Sequence, residues 1–252
     1  FGSSRAPPRE RLSATCASAA RTQGGGSSHT APSRSIRLAA GGGCGGEMLA
    51  LPEEVNVFAV IAVQTTLLAF LQFGEKALPS NFAARKMCHA GSGFLMLYLN
   101  SKDVVARCYV YMVVVTSLAM TWRLVPAWVP QWRFGDCYDA GISIYLLIVG
   151  AWFYLQLPVR ALAPLFFADP AGAVVGKFCS RRGFNKVWYE NKTIMGTLAV
   201  YTFALLSLDV PGILPRALIA VACAVAEAFG GKTYDNLVIS VPVIGSWVYY
   251  HR

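Results

Sequence analysis

Read from its hydrophobic and polar positions, the chain is a series of long apolar runs with polar residues confined to the joints. The runs cover about 55–73, 104–122, 138–157, 161–176, 193–209, 214–230 and, more weakly, 236–250. Each approaches the ~20 residues that a helix needs to cross a bilayer. A shorter run, Phe94 to Leu99, follows "ARKMCHAGSG" and crosses only if its helix begins near Ala83. Pro211 and Pro215 mark a tight turn between two of the runs, and tryptophans such as Trp122, Trp128, Trp132, Trp188 and Trp247 stand at run ends, where amphipathic rings prefer to sit. The pattern predicts an all-α, polytopic integral membrane helical bundle of about seven to eight spans.

Composition sharpens this picture. The 252 residues are 55% hydrophobic and 14% charged, against about 25% charged in a typical soluble domain, and mean hydropathy is +0.47. Seven cysteines without a C-x-x-C pair and three histidines exclude a readable disulfide framework or a histidine-rich metal site. Residues 1–47 differ in kind: six arginines, no lysine, two glutamates and many Ser, Ala and Gly. Such a segment cannot bury a core and is expected to be a disordered leader. Its Arg- and Ser-rich, acid-poor character fits an organelle transit peptide; a fragment or untranslated stretch fits equally, since the first methionine is Met48. Residues 48–252 form the membrane domain.

The formal charge of +9 also informs orientation. With the helix near Ala83 crossing, the joints on one side carry eleven basic residues, and those on the other side carry four. That asymmetry is the one expected of a cytoplasmic face. The basic residues are few and confined to joints, which makes nucleic acid a poor partner.

The chemistry gathers on the basic side. In "FFADPAGAVVGK", Asp169 and Pro170 interrupt an apolar run. A carboxylate at bilayer depth is costly and usually pairs or works; alternatively Asp169 caps a helix that begins at Pro170. Both fit a broken helix whose N-terminus binds an ion or phosphate. Gly172 and Gly176 make a G-x-x-x-G pair that suits close helix packing at least as well as a phosphate contact. "AGAVVGKF" is not a P-loop: Ala171 holds the first glycine's place and Phe178 that of the magnesium-binding hydroxyl. Lys177 begins a basic joint that ends in Asn191, Lys192 and Thr193, which open the next helix with a lysine able to hold a phosphate oxygen. Glu227 closes one run, while Asp235 and Asn236 open the last. Carboxylates beside lysines suggest Mg²⁺ held between protein and substrate phosphates, as phosphoryl transfer requires. Arg85 and His89, four residues apart, share a helical face; the histidine suits a structural or a catalytic role.

Four segments, "ARKMCHAGSG", "ADPAGAVVGK", "NKTIMGTLAVYTF" and "AEAFGGKTYDNLVISVP", occur in an order and spacing similar to the polyprenol kinase family. That family includes dolichol kinase, chloroplast phytol kinase and the CTP-dependent diacylglycerol kinase, and the resemblance spans about residues 83–245. It implies a membrane enzyme that moves the γ-phosphate of CTP, or another nucleotide, to a lipid hydroxyl with Mg²⁺ or Mn²⁺. Asp169, Lys192 and Asp235 would be catalytic, and Asp169, Glu227 and Asp235 would hold the metal. Arg85, Lys86, His89, Gly176, Lys177, Asn191, Gly196 and Asn236 would contact the nucleotide. The family often continues "G-R-x-x-G" where this chain has "GKFCSRRG", so the loop contacts differ here. "NKTIMGT" leans toward dolichol as acceptor, and the chain's compactness toward phytol. The membrane would be that of the endoplasmic reticulum or the chloroplast envelope or thylakoid. The alternatives are a CTP-dependent diacylglycerol kinase or a CDP-diacylglycerol-type cytidylyltransferase, although the latter's clustered Asp-Arg-x-Asp signature is missing, and a non-enzymatic membrane transporter or scaffold.

Overall fold

The structure is a computed structural model that describes residues 55–135, 137–231 and 233–251; the expected leader lies outside these residues. Among them stand eight α-helices: α1 (Val57–Phe73), α2 (Asn81–Met96), α3 (Val104–Thr121), α4 (Ala140–Tyr154), α5 (Ala163–Arg181), α6 (Ile194–Ser207), α7 (Ile213–Phe229) and α8 (Asp235–His251). Each apolar run became one helix, and the short run after Ala83 belongs to α2. The starts follow from local chemistry. Asn56, Ser80, Asp103, Asp139 and Thr193 each stand at an N-cap, where the side-chain oxygen accepts from a first-turn backbone N–H. Gly212, at φ 85°, supplies the left-handed residue that turns the chain into α7.

Val104–Thr121 and Val159–Arg181 are long and apolar enough to cross a membrane; Val57–Phe73, Ala140–Tyr154 and Ile194–Ser207 are apolar but shorter. Large apolar side chains face outward along the helices, among them Phe58, Val115, Leu147, Leu206, Leu218 and Val241.

Helix α5 is the hub. It packs against α2, α6 and α8, and a short 3-10 turn, Val159–Leu162, leads directly into it. One apolar core joins α1 to α4 with Phe166 of α5, and a second joins α5 to α8; Tyr145 and Ile148 of α4 pack against both. The α5–α6 crossing depends on glycines. A Cβ on Gly172 would meet Val200 Cγ2 at 2.4 Å, and one on Gly176 would meet Thr193 Oγ1 at 2.8 Å and the Gly196 Cα at 3.3 Å. The close-packing reading of the glycine pair therefore accounts for Gly172 and Gly176.

Two expectations need correction. The helix does not break at Asp169: α5 runs through Pro170, and the proline that opens it is Pro164. Pro170 removes one backbone donor, yet Leu165, Phe166, Ala168, Asp169 and Pro170 are all buried, so neighbouring helices hold the segment helical. The second correction concerns the joint before α6. Val187–Tyr189 (β1) and Lys192–Thr193 (β2) form an antiparallel hairpin pairing Val187 with Thr193 and Tyr189 with Lys192. Lys192 thus lies on a strand, one residue before the cap Thr193, and does not itself open the helix.

Candidate functional site

The site is assembled from helix ends and one hairpin. Lys86 and His89, three residues apart on α2, share a face and reach the same carboxylate oxygen of Asp169 on α5. Lys86 Nζ donates to Asp169 Oδ2 at 2.7 Å, and His89 Nδ1 lies 3.4 Å from that oxygen. The other ring nitrogen of His89 faces the Leu165 carbonyl at 3.2 Å. Its ring meets Tyr145 edge-on, with centroids 4.4 Å apart. The pair is mostly buried, with side-chain exposures of 15% for Lys86 and 6% for Asp169. Arg85, expected to act with His89, turns instead to α4, where its guanidinium pairs with the cap residue Asp139 at 2.7 Å. Both neighbours of a helical residue, at three and four positions, are geometrically open to it; the placement of α5 and α4 decides between them.

A second pair lines the same cavity as the first. Lys192 on β2 donates to Glu227 Oε1 on α7. Asn185 fastens the hairpin between its neighbours: its amide donates to the Gly176 carbonyl at 3.0 Å and Ser180 Oγ at 3.1 Å, and its Oδ1 accepts from Met195 N at 3.1 Å. Asn191 lies in the hairpin turn beside Glu190, which adopts φ 40°. Trp188 donates to Thr197 Oγ1 at 2.8 Å, and Tyr189 packs on Phe229.

Asp235 opens α8, where a negative charge suits the helix dipole. Its Oδ1 accepts from Asn236 N at 2.8 Å, and it makes no ion pair among the described residues. It lies within electrostatic reach of Asp169, Lys86 and Lys192. Lys177 holds its ammonium 3.9 Å from the centre of the Phe82 ring, a cation–π contact.

Lys86, Asp169, Lys177, Asn191, Lys192 and Asp235 all line one cavity of about 770 Å³, with Gly176, Gly196 and Glu227 in its wall. That volume lies in the ~300–1,000 Å³ range of small-molecule sites. His89 and Asn236 line a smaller adjoining cavity that shares Arg85, Lys86, Asp169 and Asp235 with it. Every residue expected to act from the sequence is thus brought to one of two adjoining cavities. Sequence reasoning missed Asp139 and Asn185. Asp139 was visible as an acid directly before an apolar run; Asn185 gave no local signal, because its three partners lie on other elements.

Asp169, Glu227 and Asp235, the three carboxylates expected to hold a metal, all line the larger cavity. Among the described residues no three His, Cys, Asp or Glu side chains are gathered as a metal-binding group. Asp169 is engaged by Lys86, and Glu227 by Lys192. Magnesium, however, is usually held through one or two carboxylates completed by substrate phosphates, and Asp235 fits that requirement as the acid without an ion pair. Comparison of the chain with protein-family models, curated proteins and solved structures finds no match.

Proposed function

We propose that this chain is a polytopic membrane phosphotransferase that moves the γ-phosphate of CTP, or another nucleoside triphosphate, to the hydroxyl of an isoprenoid alcohol. The observation that carries the reading is the convergence of Lys86, Asp169, Lys192, Glu227 and Asp235, from four helices and a hairpin, on one cavity. Charges from segments so far apart in sequence are rarely collected inside an apolar bundle without a ligand to serve. The outward apolar side chains of the helices support a lipid setting for all eight.

In this reading Lys192 and Lys177 hold phosphate oxygens, with Asn191 beside them. The pairing of Lys192 with Glu227 keeps the ammonium at the wall before the phosphates arrive. Asp235 would hold Mg²⁺ or Mn²⁺ together with those phosphates, and the cation would neutralise charge on the transferring group. Asp169, aimed by Lys86 and His89, takes the proton as the alcohol oxygen bonds to the γ-phosphorus. The bond from that phosphorus to the β-bridging oxygen breaks, and CDP leaves. Gly176 and Gly196 keep α5 and α6 close enough for both walls to reach one ligand.

The test is transfer of label from γ-labelled CTP to phytol or a polyprenol in membranes containing the protein. CDP, not pyrophosphate, is the expected by-product, which separates a kinase from a cytidylyltransferase. Asp169→Ala and Lys192→Ala should each abolish transfer at unchanged expression; full activity in both would overturn the assignment.

A further inference from the structure

We infer that the smaller, apolar cavity beside Asp169 is the binding site of a single-chain lipid alcohol, and that the cleft between α1 and α3 is the sideways entrance to it. The role given to the hydroxyl rests on the phosphotransferase reading; the binding itself does not.

The cavity measures about 150 Å³ and lies among α1 to α4, with Leu68, Met96, Val110, Val113, Leu146 and Val149 in its wall. At one end it shares Arg85, Lys86, Asp169 and Asp235 with the phosphate cavity. At the other it shares Leu68, Tyr109, Val113, Ser117 and Trp132 with a third cavity of about 330 Å³. That third cavity runs between α1 and α3 to Phe73 and Met112, which are exposed on the outer surface. The two cavities thus abut along these shared residues, and their largely apolar lining extends from the outside of the bundle to the residues around Asp169. A hydrogen bond of 3.5 Å between Thr65 Oγ1 and Tyr109 OH crosses the cleft, at the long limit for such a bond.

The inner cavity also holds three buried polar atoms without a hydrogen-bond partner among the described residues: Gln64 Oε1, Tyr145 OH and Asn236 Oδ1. Buried polar atoms are nearly always satisfied, and an orphan in an apolar wall is destabilising until something fills it. Tyr145 stands against His89, and Asn236 follows Asp235, so two of the three flank the reactive end. A hydroxyl, with one donor and two acceptor positions, can serve these groups, and an alkane cannot. The narrow inner cavity admits one chain, which disfavours a two-chain glycerolipid.

The experiment uses the full chain in liposomes with phytol carrying a diazirine near its tail, and mass-spectrometric mapping of the adducts. Adducts are expected on α1 and α3 around Leu68, Met112 and Val113. Excess unlabelled phytol should suppress them and its methyl ether should not, because the ether has no proton to donate. Val113→Trp fills the junction of the two cavities and should cut labelling by about tenfold, the loss that ~1.4 kcal/mol of overpacking produces. Val113→Ala, which widens the passage, should label at least as well as the parent. Adducts scattered over the other helices, or equal competition by the ether, would overturn the inference, as would parental labelling of Val113→Trp. Transfer from γ-labelled CTP is followed in the same liposomes. Specific adducts without transfer would retire the phosphotransferase reading and leave the site standing. Transfer with labelling indifferent to Val113→Trp would do the reverse.

Discussion

Removing one partner of the Lys86–Asp169 pair should cost far more than removing both. At 2.7 Å and an effective dielectric constant of ~20, two unit charges attract by about 6 kcal/mol. Desolvation of both groups offsets much of that. Lys86→Met leaves the Asp169 carboxylate 6% exposed, with His89 at 3.4 Å as its remaining partner; a stranded buried charge costs about 3–5 kcal/mol. Asp169→Asn should fall at the lower end of that range, because Lys86 is the more exposed of the two. In Lys86→Met/Asp169→Asn no charge is stranded, and the double variant should be more stable than the two single effects summed, by about 2 kcal/mol or more. For a chain of this size ~1 kcal/mol moves Tm by about 2–4 °C, so Lys86→Met should lose about 6–20 °C and the double variant visibly less. Thermal unfolding in detergent, followed by tryptophan fluorescence, reads this directly, and γ-phosphate transfer is measured on the same preparations. The double variant should regain stability without regaining turnover. Strictly additive Tm losses would refute the coupling, and a double variant with parental turnover would reduce the pair to a structural tie.

Two further outcomes test neighbouring claims. Asp235→Asn should raise the Mg²⁺ concentration needed for half-maximal transfer by roughly tenfold to a hundredfold, while Tm stays put because no ion pair among the described residues is lost; an unmoved Mg²⁺ titration would remove Asp235 from the metal role. Gly172→Ala places a methyl group 2.4 Å from Val200 Cγ2 and should destabilise by about 1–3 kcal/mol; adding Val200→Ala should relieve the clash, so that the pair of substitutions costs less than their sum, and additivity would show that α5 and α6 are not in that contact.

The helices were legible because most are long apolar runs and five of them follow a capping side chain, as at Asp103 before α3 and Asp139 before α4. Both signals are local. Pro170 misled for the same reason: its local meaning is to start or break a helix, and only the helices around α5 show why it does neither. The site residues could be nominated one by one, since a carboxylate or lysine in an apolar setting stands out. Their partners could not, because whether Arg85 or Lys86 reaches α5 depends on where α4 and α5 lie. The hairpin escaped notice for want of length: a strand of three residues and one of two carry no readable alternation.

The shortness of several helices has a consequence for where such a bundle can reside. At 1.5 Å per residue, the 14 residues of α6 and 15 of α4 extend only about 21–23 Å, well under the ~30 Å of an average hydrocarbon layer. A thick, sterol-rich bilayer would have to pinch inward around these segments or drag their polar flanks into oil. A thinner bilayer would meet them with less deformation. Where α4 and α6 meet lipid, hydrophobic mismatch would thin the surrounding bilayer locally.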